Sequence, residues 1–432
     1  MTGVALFATF VVLMLLGVPI GVALGFGGAL AIALSNPDTQ WFGLLAAPQN
    51  AYASVAKYPL LALPMFVLVG CIFDRSGVAQ RLVTFAQACT GRGPGMLPLV
   101  AIVVAMVLGG ISGSGPANAA AVGGVMIAAM ARAGYPAPFS ASIVGAAAAT
   151  DILIPPSIAL VVYSVSVPGA SVPALFAAGM VPGILAGSAL VVPAIWLSRA
   201  RGYGLLEREL PRPPFWHSLR QAAWGLAAPV LILGGMRVGW FTPTEAAAVA
   251  VLYGLAVGML IHRTIHAREL YGIFRDAAEI SAVIMIVMAL AGIFAYSVNT
   301  LGMADPLVDA VQASGLSSAG ILALLMLLLL VVGMFLDGVS IFLIFLPLLY
   351  PLAITFQWDL VWFGVLLTMM IAIGQFTPPM AVNLLVACRL AKVRIESTIP
   401  YVLWLVVSFL IATVLVAAFP QLALWLPKSL GY

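Results

Sequence analysis

Apolar runs of roughly 20 residues recur from one end of the chain to the other, separated by short loops that hold most of the charge. A helix of that length crosses about 30 Å of hydrocarbon, so the pattern predicts an all-α integral membrane protein. The same punctuation also occurs twice. Pro19 pairs with Pro243, and Gly77, Ala79, Leu82, Val83 and Gln87 pair with Gly302, Ala304, Leu307, Val308 and Gln312. Gly110 pairs with Gly333, and Pro155-Pro156 pairs with Pro378-Pro379, all at a nearly constant offset. An ordered series over most of both halves is an internal repeat, a mark of secondary transporters when the chain is polytopic.

Composition narrows the picture further. Of 432 residues, 63% are hydrophobic and 7% charged, which leaves no room for a soluble domain of useful size. The net charge of +4 comes from loop arginines, so it bears on topology and membrane lipid rather than nucleic acid. No basic residue precedes Lys57, so the N-terminal run lacks the basic flank of a signal peptide and reads as a retained span. Cys71, Cys89 and Cys388 lack metal or redox spacing and read as free, packed thiols.

Basic residues cluster at 75–92, 199–220, 262–275 and 389–394, and the positive-inside rule puts all four in the cytoplasm. Parity then governs the spans. Residues 221–238 lead out, 245–262 return, 277–298 lead out again, 360–388 return and 398–426 leave. Segment 319–356 must begin and end outside, and segment 94–133 must begin and end inside. Each arm of 94–133 is about 15 residues, roughly 22 Å of helix, too short to cross. Both segments therefore read as re-entrant hairpins of opposite sense. Residues 3–35 should split at Gly17-Val18-Pro19 into two short spans. The expected fold is two inverted-topology repeats with about ten transmembrane helices and two hairpins. The units are 1–200 with hairpin 94–133, a cytoplasmic linker 201–216, and 217–432 with hairpin 319–356.

Irregular backbone inside a membrane is tolerated where it is buried in protein or lines a cavity. Four such breaks are expected here, paired by the repeat. The hairpin tips are Gly109 to Asn118, with Ser112, Ser114 and Asn118, and Gly333 to Ser340, with Asp337 at the position of Ser114. The proline pairs should free the carbonyls of Asp151, Ile152, Gly374 and Gln375, because proline lacks an N–H and displaces the carbonyl four residues back. Such carbonyls, with hydroxyl and amide oxygens, suit a hard cation. The half-helix N-termini beyond the prolines, beside Ser157 and Asn383, suit an anion. Close helix packing with proline kinks explains any one break, but four paired breaks with an intramembrane aspartate favour a transport site.

Other features read as structural. Thr242-Pro243-Thr244-Glu245 spells a capping box. His262 and His266 lack the glutamate of a zinc helix, since Arg263 stands there. Gly113-Ser114-Gly115 is not followed by a phosphate-loop lysine, and Asp74 and Arg75 mark a span end. Asp151 reads equally as functional or as paired with a neighbouring helix. No catalytic constellation is visible, and none is expected of the chain.

The segments Gly110 to Ser114, Ile154-Pro155-Pro156-Ser157, Phe241 to Glu245, and Thr377-Pro378-Pro379 through Asn383 resemble the large membrane subunit of TRAP (tripartite ATP-independent periplasmic) transporters. Phe176 to Gly183 adds to the likeness, which spans essentially the whole chain. The resemblance implies an elevator-type carrier in the bacterial inner membrane, driven by sodium ions and needing no other cofactor. It implies a small four-helix membrane subunit, a periplasmic substrate-binding protein, and a carboxylate substrate such as a C4-dicarboxylate, sialic acid, another sugar acid or a keto acid. By motif, Ser112, Ser114, Asn118 and Thr150 would serve one cation. Asp337, Ser340, Gly374 and Thr377 would serve another. Ser157 and Asn383, with Pro156 and Pro379 beside them, would face the substrate. Two departures from the family pattern stand out: Ala381 where a glycine is usual, and an acid at Asp151. The competing readings are a stand-alone sodium- or proton-coupled organic-anion symporter, an ion channel, and an intramembrane enzyme. The pseudo-symmetry within one chain argues against a channel, and an enzyme would need a catalytic dyad.

Overall fold

Gly17 adopts a left-handed φ of 83° between helices Thr2–Leu15 and Ile20–Ser35, so the first apolar run is two short helices, split where Gly17 and Pro19 stand. The computed structural model describes residues 2–35, 40–209 and 211–432. Met1, residues 36–39 and Leu210, the last within the expected linker, lie outside them. Every regular element among the described residues is helical.

Six helices among these residues are long and apolar enough to cross a membrane: Tyr58–Arg75, Val172–Ala200, Pro243–Ile261, Ala267–Thr300, Gly338–Thr355 and Ile395–Ala418. Several other apolar helices are shorter because glycine or proline interrupts them. The two hairpins are Met96–Ser112 with Gly115–Arg132, and Ser318–Gly333 with Gly338–Thr355. Helix Ala137–Ala148 runs through a 3-10 turn, Ala149–Ile152, to the first proline pair before Ile158–Ser166 resumes. Leu360–Gly374 stops before the second pair, and Val382–Ala391 follows. Ala137–Ala148 and Leu360–Gly374 are buried over nearly their whole circumference. That is why their sequences show no polar face.

The repeat is visible in backbone detail. Gly77 (φ 68°) and Gly302 (φ 57°) make the same left-handed turn before Val78–Cys89 and Ala304–Ala313. Glycines also set helix spacing. A Cβ on Gly28 would lie 3.0 Å from the Phe294 backbone, so Ile20–Ser35 sits close against Ala267–Thr300. The Ser297 hydroxyl donates to the Gly28 carbonyl across that contact at 2.9 Å.

Three of the four basic clusters gather at one end. Arg75 pairs with Asp276, and His262 Nδ1 lies 3.1 Å from the Ser76 carbonyl. Arg92 and Arg212 line one small cavity with Glu207, and Arg201 lies over the Tyr401 ring. The feet of the first hairpin are at this end. Tyr135 Oη accepts from the Gly95 amide at 2.7 Å and donates to Glu207 at 2.6 Å. The feet of the second hairpin meet separately, where Trp358 Nε1 donates to Ser318 Oγ at 2.8 Å.

Glu207 is 6% exposed. Burial pushes its carboxyl above the ordinary glutamate range, outweighing the Tyr135 hydrogen bond, which favours ionisation. A carboxyl raised by folding stabilises the fold in its protonated form. That contribution is complete below the unfolded value, about 4.3, and is lost as pH rises through the raised one. Glu207→Gln keeps an acceptor for Tyr135 and has no charge to bury. Its thermal midpoint should exceed the wild type's at neutral pH, the gap closing on acidification. Thermal unfolding in detergent across that range checks this.

Two expectations are corrected. Residues 398–426 are not one span: Pro420 ends Ile399–Ala418 at Phe419, and Gln421–Leu430 starts afresh. A residue before proline is pushed out of the helical region, and Phe419 (φ −123°, ψ 80°) obeys that rule. Cys89 is exposed rather than packed; Cys388 is buried and Cys71 half-buried.

Candidate site between the hairpin tips

The two tips meet at a central cavity of about 250 Å³. Ser112, Gly113, Ser114 and Gly115 line it from one hairpin, and Asp337 and Gly338 from the other. Gln375 and Val382 contribute from the second proline break, Ile152 and Ile158 from the first. The cavity reaches Cys71 and Asp74, next to the Arg75–Asp276 pair, so it extends toward the basic end.

Glycine is required at the first tip by close approach. Gly113 has a φ of 62°, and a Cβ there would lie 2.8 Å from the Pro156 carbonyl oxygen. A Cβ on Gly115 would meet the Asn383 amide at 2.6 Å. The first tip therefore touches both proline breaks. Ser114 is the N-cap of Gly115–Arg132, as Asp337 is of Gly338–Thr355, so the repeat matches two helix-starting positions. The Asp337 carboxylate accepts from the amides of Val339 (3.1 Å) and Ser340 (3.2 Å) and from the Ser340 hydroxyl. At the second tip Gly333 lies against Gly374, backbone to backbone.

Both proline pairs are joined by a cis peptide bond. Three of the four carbonyls expected to be free are engaged. Ile152 O accepts from the Ser157 hydroxyl, Gly374 O from the Thr377 amide (3.1 Å), and Gln375 O from the Asn383 amide (3.0 Å). Proline deletes the usual donor, but each break bends far enough to bring another one in.

Among curated relatives, the C4-dicarboxylate TRAP transporter large permease protein DctM of Pseudomonas aeruginosa is 37% identical over 410 residues, covering 95% of this chain and 94% of that protein. The isethionate TRAP transporter permease protein DctMQ of Oleidesulfovibrio alaskensis is 36% identical over 420 residues; 96% of this chain spans 65% of its length. The family profile "Tripartite ATP-independent periplasmic transporter, DctM component" matches residues 7–422. The chain belongs to this TRAP DctM family. The permease is therefore a membrane transport protein, and its relatives are permeases rather than enzymes. Its fold also resembles the Alcanivorax borkumensis YdaH transporter, with a TM-score of 0.62 at 15% identity, covering 94% of this chain and all of that one.

The permease sorts its expected site residues into two kinds. Ser112, Ser114 and Asp337 line the cavity. Asn118, Thr150, Ser340 and Gly374 are buried around it. The hydroxyls of Thr150 and Thr377 donate to their own chain, at Ala147 O (2.8 Å) and Ile373 O (2.6 Å). Ser157 is fully buried, caps Ile158–Ser166 through Leu160 N, and donates to Ile152 O, so its hydroxyl helps hold the break together. Asn383 is buried too and donates to Gln375 Oε1 at 3.1 Å. Pro156 is buried, whereas Pro379 is exposed. None of Ser157, Asn383, Pro156 and Pro379 is among the cavity-lining residues.

The Gln375 side chain is what sequence reasoning missed, having singled out only its carbonyl. A polar side chain three residues before a proline pair, in an otherwise apolar buried helix, was the available signal. Asp74, read as a span end, also lines the cavity. Other features keep their structural roles. The Thr242–Glu245 capping box forms with both bonds, and His266 starts its own helix with Glu269, apart from His262. In Phe176 to Gly183, Gly179 and Gly183 let Val172–Ala200 lie against Leu153 and Ile154 at the first break.

The glycine that the resemblance leads one to expect at position 381 would have a physical reason. Ala381 sits at φ 42°, ψ 68°, in the left-handed region, as the N-cap of Val382–Ala391. That conformation costs a non-glycine residue about 1–2 kcal/mol, against about 0.4–1 kcal/mol for glycine's extra freedom in the unfolded chain. Ala381→Gly should therefore stabilise the permease by roughly 0.5–1 kcal/mol. Thermal unfolding in detergent would show it; a lowered midpoint would refute the strain.

Proposed function

We propose that this permease is the large subunit of a sodium-coupled carrier that moves a small organic anion across the bacterial inner membrane. It receives the anion from a periplasmic binding protein and works beside a small four-helix subunit. The observation that carries the reading is the meeting of the two hairpin tips and two broken helices around one cavity, where Ser112, Ser114, Asp337 and Gln375 stand in a largely apolar wall. Cations fit the oxygens of Ser112, Ser114, Asp337 and Ser340. The anion fits between the tips, where the N-termini of Gly115–Arg132 and Gly338–Thr355 supply positive dipole ends. Relatives named for a C4-dicarboxylate and for isethionate, a sulfonate, support a small anion rather than one fixed head group. The halves 1–200 and 217–432 act as inverted repeats joined by 201–216. The hairpins and broken helices move as the elevator against Ile20–Ser35, Ala62–Arg75 and Ala267–Thr300. The cavity's reach toward Asp74 fits an inward-open state.

The test is uptake in proteoliposomes holding this chain and its four-span neighbour, under a sodium gradient, with and without the loaded binding protein. Uptake that needs both sodium and the binding protein supports the tripartite reading. Uptake with sodium alone moves the chain to the stand-alone symporters.

A further inference from the structure

Asp151 is a carboxylate without a counter-charge. It stands in the 3-10 turn Ala149–Ile152, just ahead of the first proline pair, and is 0% exposed. Its Oδ2 accepts from the Ser112 hydroxyl at 3.1 Å, while Oδ1 has no hydrogen-bond partner. No lysine, arginine or histidine pairs with it among the described residues, and the charged side chain that acts on it is another acid, Asp74. A second buried oxygen is also unpartnered: Asn118 Oδ1, whose amide nitrogen donates to the Ala105 carbonyl at 2.8 Å.

These oxygens share one wall. A Cβ on Gly109 would lie 3.1 Å from Asp151 Oδ1, so that oxygen sits against Gly109. Ala105, Gly109 and Ser112 stand at i, i+4 and i+7, on one face of Met96–Ser112. Asn118 hangs from the first of these residues, and Asp151 lies on the other two. An ionised carboxylate only accepts hydrogen bonds, and burying it unpaired costs several kcal/mol. Neutral hydroxyl and amide oxygens cannot offset that charge; a proton or a bound cation does.

We propose that Asp151 is a direct anionic ligand of the first cation site, shared with Ser112 and Asn118, so that each hairpin tip works with one carboxylate. Asp151 serves the first tip and Asp337 the second. The proposal rests on the cation-coupled reading above and deepens it, since it gives the first site a formal charge. It also gives the buried acid at this position a task.

The test is sodium-dependent thermal stabilisation of the purified full-length chain. Sodium chloride is titrated against choline chloride at constant ionic strength, for wild type and Asp151→Asn. The substitution keeps size and hydrogen bonding and removes the charge. The expected result is a folded variant whose half-saturating sodium concentration rises at least tenfold. A folded variant with the wild-type titration overturns the assignment and leaves the coupled reading standing. A wild type indifferent to sodium overturns the coupled reading itself. Where Asp151→Asn does not fold, difference infrared spectroscopy of Asp337→Asn, in sodium against choline, decides instead. A sodium-shifted band of a buried carboxylate supports the proposal, and its absence overturns it.

Discussion

Asp337→Asn is expected to end sodium-driven uptake while leaving the fold intact. Asparagine caps a helix as well as aspartate does, so the amides of Val339 and Ser340 keep an acceptor and the start of Gly338–Thr355 is preserved. The charge is lost, and with it one of the two oxygens, so the Ser340 hydroxyl must give up its acceptor. Removing a carboxylate from a cation site should raise the sodium requirement roughly a hundredfold, on the order of 3 kcal/mol at about 1.4 kcal/mol per decade. Asp337→Ala removes the cap as well and should add a stability loss of about 0.5–2 kcal/mol. Ser112→Ala should weaken sodium dependence in the same direction, because its hydroxyl lines the cavity from the other tip. Uptake against external sodium, with the thermal midpoint measured in parallel, separates the two effects. Unchanged sodium dependence in Asp337→Asn and Ser112→Ala would dismantle the site assignment.

The second large effect is steric. A Cβ on Gly374 would fall on the Gly333 backbone, whereas a Cβ on Gly333 would sit 3.2 Å from Gly374 Cα. The same one-carbon change at two touching glycines should therefore have unequal results. Gly374→Ala must push the second hairpin away from Leu360–Gly374, a backbone shift costing about 3 kcal/mol or more. Gly333→Ala needs a displacement of a few tenths of an ångström and should cost about 1 kcal/mol or less. Thermal unfolding and uptake of the two variants side by side check the asymmetry. Equal effects would mean that the second tip does not seat on this helix.

Much of this was legible because the repeat is written in residues with few conformational options. Gly77 and Gly302 turn the same way because both need positive φ. The hairpin breaks fall where the glycines stand, and Ser114 and Asp337 align because both begin a helix. What sequence could not show is which donor refills a broken ladder. Proline announces a missing N–H, but the amides of Thr377 and Asn383 and the hydroxyl of Ser157 reach the vacated carbonyls only through the bend itself. For the same reason the bonds of Ser157 within the break could not be read from its place in the sequence. Gln375 and Asp74 belong to the cavity by tertiary proximity, which no local pattern records. Pro420 was a readable stop that apolar continuity on both sides concealed.

The most direct measurement uses a residue already in the cavity. Cys71 lines it on the side that reaches Asp74, while Cys89 and Cys388 are removable by serine. In that background, the rate at which a small maleimide modifies Cys71 in inside-out vesicles reports access to the space between the tips. Sodium should slow the reaction relative to potassium, and Asp337→Asn should need roughly a hundredfold more sodium for the same slowing. A Cys71 rate equal in sodium and potassium would contradict a sodium site at the meeting of the hairpins.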